Sequence, residues 1–118
     1  NLKEKAEQYF EDERNNINKA YQAGLKMGFG SDLDMENFVN NIGYEFTART
    51  DYYNFKPMDI LLQATKNSAE ILRLDDITGT IKTGKAADII ICDGNPDENI
   101  RVMNKPLLHV LAEGKLIR

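Results

Sequence analysis

The sequence has one cysteine, Cys92, one histidine, His109, and no long run of apolar residues. A lone cysteine excludes a disulfide within the chain and is compatible with a reducing cytosol. One histidine and one cysteine far apart in sequence do not give the ligand spacing of a zinc site. Without an apolar stretch of about 20 residues, the sequence predicts no membrane-spanning helix. We therefore expect a cytoplasmic protein that does not bind membranes.

Basic clusters are also missing. The formal net charge is −4, from 15 Lys and Arg against 19 Asp and Glu, which argues against nucleic acid as a partner because phosphates require basic patches. The 118 residues, 42% hydrophobic and 29% charged, are enough for one globular domain. The chain starts at Asn1, without an initiator Met or a signal-like stretch, and is already helical in pattern there. We expect a piece of a longer protein.

Helical patterns dominate the first part of the chain. Apolar residues recur every three or four positions over residues 2–23, and Gly24 is placed to end that helix. A shorter helical pattern covers residues 38–46, and residues 57–74 carry the strongest apolar stripe. Between the first two patterns, residues 25–30 (LKMGFG) alternate large side chains with glycine and predict a buried strand.

The composition changes at Asp75, after which Ile, Val, Gly and turn residues dominate. We predict four strands, over residues 77–82, 87–92, 107–112 and 115–117. The chain therefore divides into a helix-rich part, residues 1–75, and a small β unit, residues 76–118. The helix-rich part has a single strand, which cannot make a sheet by itself. The exposed strand edges of the β unit favour pairing with another chain.

Two features resemble functional motifs but have simpler interpretations. Residues 79–86 (GTIKTGKA) approach a phosphate-binding loop, but Ala86 stands where Ser or Thr would hold magnesium, and a strand follows where a helix is required. A β-turn explains this segment. His109 lies among apolar neighbours and is predicted to be a half-buried strand residue rather than a ligand.

Asp32 follows the predicted strand directly, at the kind of strand end where parallel α/β folds place their chemistry. A carboxylate there could be a catalytic group. Alternatively, Ser31, Asp32 and Asp34 could cap a helix that begins near Glu36. On residue types alone, capping is the simpler interpretation.

The segment Ala64–Pro96, ATKNSAEILRLDDITGTIKTGKAADIIICDGNP, resembles the C-terminal signature of the metal-dependent amidohydrolase superfamily. In that family, an Ala-Thr-x-Asn-x-Ala-x-x-Leu helix leads into Gly-x-Ile-x-x-Gly-Lys-x-Ala-Asp and an apolar strand. The matching residues are Ala64, Thr65, Asn67, Ala69, Leu72, Gly79, Ile81, Gly84, Lys85, Ala87 and Asp88. The closing HVLAEGKLIR resembles the family's final hairpin, and GFGSD its Gly-Thr-Asp or Gly-Ser-Asp after barrel strand eight. The imidazolonepropionase-like and prolidase-like branch is the most similar.

The resemblance implies an α/β fold that is only part of a larger one. Residues 1–75 would be the last helix–strand–helix units of a (β/α)₈ TIM barrel, and residues 76–118 the C-terminal half of a small β-sandwich. A complete barrel needs roughly 250 residues, so the rest of the barrel would lie outside this sequence.

The resemblance also implies a role for Asp32 in the full-length parent. Family members bind a divalent metal, for which zinc is our expectation, and Asp32 would contact that metal and act as the general base. The metal-activated water would hydrolyse a C–N bond in an amide, a cyclic amide or a dipeptide. Asp34 would face the substrate. The isolated chain, with one ligand, is expected to be inactive and to bind no metal tightly.

A different class of function also remains open. The chain could be a non-catalytic α/β module that assembles with copies of itself through its exposed strand edges. In either case we expect a homo-oligomer. A His-x-His segment encoded upstream of Asn1 would favour the enzyme, and a natural start codon there would favour the module.

Overall fold

The computed structural model describes the backbone of residues 1–118 and every side chain except that of Phe38. Helices occupy most of the first part of the chain and a small sheet lies near its end. The elements, in order, are α1 (Leu2–Gln22), α2 (Met35–Asn40), α3 (Tyr44–Asp51), α4 (Pro57–Leu62), a π-turn (Gln63–Asn67), α5 (Ser68–Ile71), β1 (Ile89–Ile91), a 3₁₀-helix (Ile100–Asn104), β2 (His109–Ala112) and β3 (Lys115–Leu116).

The first helix ends where the sequence predicts. Gly24 has a φ of 74°, in the left-handed region that glycine adopts readily. Its N–H donates to the Tyr21 carbonyl at 3.0 Å, and the Leu25 N–H donates to the Ala20 carbonyl at 3.1 Å. These two bonds form a Schellman motif, which satisfies carbonyls that the end of the helix would otherwise leave unpaired.

The helix predicted over residues 57–74 is confirmed as one helical stretch over residues 57–71, made of α4, the π-turn and α5, which ends three residues earlier than predicted. Pro57 is at its first position, where the missing N–H costs nothing. The shorter pattern over residues 38–46 forms two helices instead of one, because α2 ends at Asn40 and α3 begins at Tyr44.

The hydrophobic core joins the helices to the 3₁₀-helix. Its buried members are Phe55, Ile60, Ile100 and Met103, with exposed fractions of 3%, 0%, 2% and 7%. The side chains of Ile100 and Met103 come from the part of the chain after Asp75, so the two predicted parts share one core. The division of the chain into residues 1–75 and 76–118 stays a prediction.

The sheet near the end of the chain is antiparallel, with the order β1-β2-β3. Ile90 pairs with Val110, and β2 and β3 form the predicted hairpin about Glu113 and Gly114. Both turn residues have positive φ, 50° and 77°, as a type I′ turn requires. The Glu113 N–H also donates to the Asp88 carboxylate at 2.8 Å, which fixes the hairpin against the residue before β1.

Three local predictions are wrong. Residues 25–30 and 77–82 lie outside any helix or strand, although both were expected to be strands. A strand needs a neighbour for its backbone groups. In the described chain neither segment forms a ladder, and residues 77–82 make only a single such contact, from the Ala86 N–H to the Ile77 carbonyl at 2.8 Å. His109 lies on β2 as predicted but is exposed instead of half-buried.

Much apolar surface remains open to solvent. The accessible surface is 8771 Å² for 13.4 kDa, whereas a compact monomer of that mass exposes about 6,500 Å². The radius of gyration is 16.1 Å, against about 13.5 Å for a compact domain of this length. Leu2 and Ile81 are 85% and 90% exposed. Within the described chain, no helix is both long enough and apolar enough to cross a membrane.

Candidate functional site

The segment Leu25–Asp32 lies against the helical stretch that contains the π-turn. The Asn67 side-chain amide donates to the Met27 carbonyl at 3.2 Å, and the Phe29 N–H donates to the Ser68 hydroxyl at 3.0 Å. Side chains thus take the place that a neighbouring strand would have for these two backbone groups. These two hydrogen bonds fix the path of the backbone that leads to Asp32.

Arg49, on α3, holds the same segment from another direction. Its Nη1 donates to the Gly28 carbonyl at 2.9 Å and to Gln63 Oε1 at 2.6 Å, and its Nε donates to Glu45 Oε1 at 2.6 Å. The guanidinium carbon lies 4.7 Å from the centre of the Phe29 ring. The Arg49 and Glu45 side chains are only 13% and 16% exposed, so this is a largely buried ion pair with its hydrogen bonds satisfied.

Asp32 is exposed and has a φ of 51°. That left-handed conformation is uncommon for residues with a side chain, and aspartate and asparagine tolerate it best. No hydrogen bond or ion pair engages its carboxylate among the residues that the structure describes. The carboxylate is therefore free to bind a cation or to accept a proton.

Asp34, not Asp32, caps α2. The Asn37 N–H donates to Asp34 Oδ1 at 3.0 Å, and the Asn37 side chain donates to Oδ2 at 2.7 Å. The backbone hydrogen bond, helped by the side-chain one, lowers the pKa of Asp34, because both stabilise the charged form. The capping interpretation therefore applies to Asp34, two residues beyond the proposed catalytic position.

A groove of about 1000 Å³ is lined by residues of α1, of α3 and of the segment that leads to Asp32. Its lining includes Glu13, Glu45 and Tyr53. The Tyr53 hydroxyl donates to Glu13 Oε1 at 3.1 Å. Burial, together with this carboxylate, raises the pKa of Tyr53 to about 12, so the phenol is protonated at neutral pH. The groove thus has acidic side chains beside aromatic ones.

The chain does not provide a complete metal site. Among its described residues, no three His, Cys, Asp or Glu side chains come together as metal ligands would. Asp32 could donate one carboxylate, the kind of oxygen ligand that divalent metals accept. His109 is distant in sequence and lies with Nδ1 3.3 Å from the Arg118 carbonyl, and Cys92 packs beside the hydrophobic core.

The sequence model of the amidohydrolase family matches residues 2–117. The chain belongs to that family. Over 71 residues, 60% of its length, this amidohydrolase chain is 32% identical to the imidazolonepropionase of Thermoplasma volcanium, of which it covers 18%. The predicted resemblance to this branch of the superfamily is confirmed.

Solved structures give the same assignment for this amidohydrolase chain. A Xaa-Pro dipeptidase with bound methionine in its active site aligns over 89% of the chain with 30% identity and a TM-score of 0.77. A prolidase complexed with N-methylphosphonate-L-proline aligns over 89% with 35% identity and a TM-score of 0.73. The chain spans 25% and 26% of these two proteins. It is thus an α/β chain similar to a small part of each relative.

Sequence reasoning missed the side chains that hold the segment leading to Asp32. Asn67 is part of the family signature, and Ser68 is a polar residue within the apolar stripe of residues 57–74. Polar side chains in such a stripe are the signal that could have identified them. Arg49 and Gln63 gave no signal, because Arg49 donates to the Gly28 backbone carbonyl, whose position only the fold defines, and Gln63 accepts from Arg49.

Proposed function

We propose that the full-length protein containing this chain is a metal-dependent hydrolase of C–N bonds. Residues 1–75 would complete a (β/α)₈ barrel, and residues 76–118 would form the C-terminal part of a β-sandwich. Family membership over residues 2–117 carries the proposal. The large exposed apolar surface supports it, because the remaining barrel would cover that surface.

Asp32 is the residue of this chain that we assign to the reaction, as metal contact and general base. Its carboxylate is exposed and has no described partner, which suits both roles. A bound divalent metal, which we expect to be zinc, supplies Lewis-acid polarisation and lowers the pKa of water. The Asp32 carboxylate accepts a proton from the attacking water and returns it to the leaving nitrogen.

We assign Asp34 a position facing the substrate. Its two carboxylate oxygens each accept one hydrogen bond from Asn37, and each oxygen has a further lone pair for a substrate donor. The lowered pKa keeps this carboxylate charged at neutral pH. A cationic or N–H group of a substrate is the chemistry that it would recognise.

Amides, cyclic amides and dipeptides are the substrate classes that we propose. An imidazolonepropionase, a Xaa-Pro dipeptidase and a prolidase are among the relatives, and these names support cyclic amides and dipeptides in particular. Cytoplasmic localisation and homo-oligomerisation stay predictions from the sequence. The isolated chain is expected to be inactive, because Asp32 alone cannot form the metal site.

Asp32→Asn in the full-length protein tests this proposal. We expect kcat to fall by about 10²–10⁴-fold, the range for loss of a general base, in hydrolysis of a panel of Xaa-Pro dipeptides and cyclic amides. Asp97→Asn, at an exposed turn carboxylate, is the matched control and should leave kcat unchanged. Full activity in Asp32→Asn would refute the role of Asp32. A wild-type protein without metal or hydrolase activity, sedimenting as a stable oligomer, would favour the self-associating module.

A further inference from the structure

The path of the chain before Asp32 depends on side chains from other elements. Residues 25–34 form no helix or strand, so no ladder of backbone hydrogen bonds fixes them within the described chain. The Gly28 carbonyl, four residues before Asp32, accepts its hydrogen bond from Arg49. Whatever moves this carbonyl also moves the start of the four-residue path that leads to Asp32.

The Arg49 side chain is built to hold that carbonyl rigidly. Its guanidinium is a planar fork, and Glu45 fixes one arm of the fork through Nε while Gln63 and Gly28 share Nη1. Gln63 is itself only 3% exposed and begins the π-turn. Contacts with α3 and with the π-turn thus fix the position of the guanidinium, and from that position it binds the segment that leads to Asp32.

Aromatic packing strengthens the same contact. The Arg49 guanidinium lies over the Phe29 ring, and the Phe29 ring lies 4.5 Å from the Phe46 ring, centre to centre. Phe29 and Gly28 are adjacent, so one arginine contacts both the backbone and the next side chain of the segment. Few rotations of this segment preserve both contacts.

We propose that Arg49 is a positioning residue for Asp32, acting through the Gly28 carbonyl. This inference rests on the proposed hydrolase function, in which Asp32 must meet ligands that other parts of the full-length protein supply. A carboxylate misplaced by about 1 Å can lower a rate by about 10²-fold. Arg49 contributes by keeping the Asp32 carboxylate in the correct position. It does not touch the reacting atoms.

Two variants of the full-length protein separate positioning from charge balance. Arg49→Met removes the hydrogen bond to Gly28 but also leaves the Glu45 carboxylate unpaired, which by itself destabilises the fold. The double variant Glu45→Met with Arg49→Met removes the unpaired charge and keeps the volume apolar. Arg101→Met is the matched control, because Arg101 also pairs with a carboxylate of α3, Asp51, but in an ion pair whose side chains are 56% and 52% exposed.

Three measurements report on the proposal. Hydrogen exchange of the peptide spanning residues 25–32, followed by mass spectrometry, should be about tenfold faster in both Arg49 variants. The zinc dissociation constant, measured by chelator competition, should rise about 10–100-fold, and kcat should fall by a similar factor with little change in KM. The double variant should regain thermal stability without regaining slow exchange, zinc affinity or kcat. Arg101→Met should match wild type in all three.

The outcomes distinguish this proposal from the function on which it rests. Unchanged exchange over residues 25–32 in both variants overturns it, and so does faster exchange with zinc affinity and kcat intact. Recovery of all three readouts in the double variant also overturns it, because Arg49 would then only neutralise Glu45. A wild-type protein that neither binds zinc nor hydrolyses a C–N bond refutes the proposed function, before any Arg49 variant is measured.

Discussion

The helical region, residues 1–74, and the C-terminal region, residues 75–118, are stabilised in different ways. Helices of the first region satisfy their own backbone groups and bury Phe55 and Ile60 between them. The second region has strands of two to four residues and leaves apolar side chains such as Ile81 almost fully exposed. It is anchored to the first mainly through Ile100 and Met103 of the 3₁₀-helix.

This difference indicates that the two regions depend to different degrees on neighbouring segments for their backbone hydrogen bonds. A helix forms its hydrogen bonds with residues four positions away, so an incomplete core affects its stability more than its conformation. A strand takes its partners from elsewhere, so a segment without a neighbour forms no strand. Residues 25–30 and 77–82 have strand-like patterns but form no strand, and they show that dependence.

The contact between the two regions is broken most directly at Gly79. A Cβ at this position would overlap the Cβ of Ala69 on α5, and the φ of 90° is itself unfavourable for alanine. We expect Gly79→Ala to lower the free energy of unfolding by about 2–5 kcal/mol, from backbone strain plus overpacking. Urea unfolding measures it.

Gly84 is the matched control for that substitution. It has the same φ of 90°, but a Cβ there would meet nothing within 4 Å. Gly84→Ala should therefore cost only the strain, about 1–2 kcal/mol. Equal costs for the two substitutions would mean that residues 78–80 do not pack against α5.

The hydrogen bonds between helices of the helical region can be tested at Tyr21. Its hydroxyl accepts from the Lys56 N–H at 3.3 Å and donates to the Asp59 carboxylate, so α1 caps the first turn of α4 from outside. Tyr21→Phe should lower the free energy of unfolding by about 1–2 kcal/mol. The control Tyr9→Phe, at a position 67% exposed, should change it by less than about 0.5 kcal/mol. Identical unfolding of the two variants would show that the cap contributes nothing.

Alkaline pH sharpens the comparison within the helical region. Folding raises the pKa of Tyr53 from 10.0 to about 12. Below pH 10 the phenol is protonated in both states and its contribution is complete, whereas between pH 10 and about 12 the unfolded chain ionises first. Stability should therefore fall as pH rises through this window, and ultraviolet titration should detect a late phenol that Tyr53→Phe removes. At neutral pH that variant should cost only about 1 kcal/mol. A Tyr53→Phe titration identical to wild type would refute the assignment.

The helices and the final hairpin could be predicted because their signals are local. Gly24 ends α1 and Gly114 completes a turn through the backbone freedom of glycine, and both signals are visible in the sequence. The strand predicted at residues 77–82 had an equally good local pattern, but its formation depends on a partner. A pattern of alternating residues states which face of a strand would be buried, not whether a neighbour exists.

The candidate site was predictable only in part. Asp32 could be selected by the family signature and by its position after an apolar run, and its exposed carboxylate has no described partner. Its neighbour Asp34 shows why residue type was insufficient, because either aspartate could have capped α2 and only geometry assigns the cap to Asp34. Arg49 acts on a backbone carbonyl, and such a contact leaves no pattern in the sequence.

The π-turn at Gln63–Asn67 determines how the side chains that follow it in the same helical stretch are rotated about the helix axis. One added residue in a helix turns later side chains by about 100° around the axis. With that residue, Ile60 faces the core while Asn67 and Ser68 face the segment leading to Asp32. A one-residue deletion within the turn would yield a more regular helix whose two polar side chains point elsewhere, so the length of this stretch is constrained even where its composition is not.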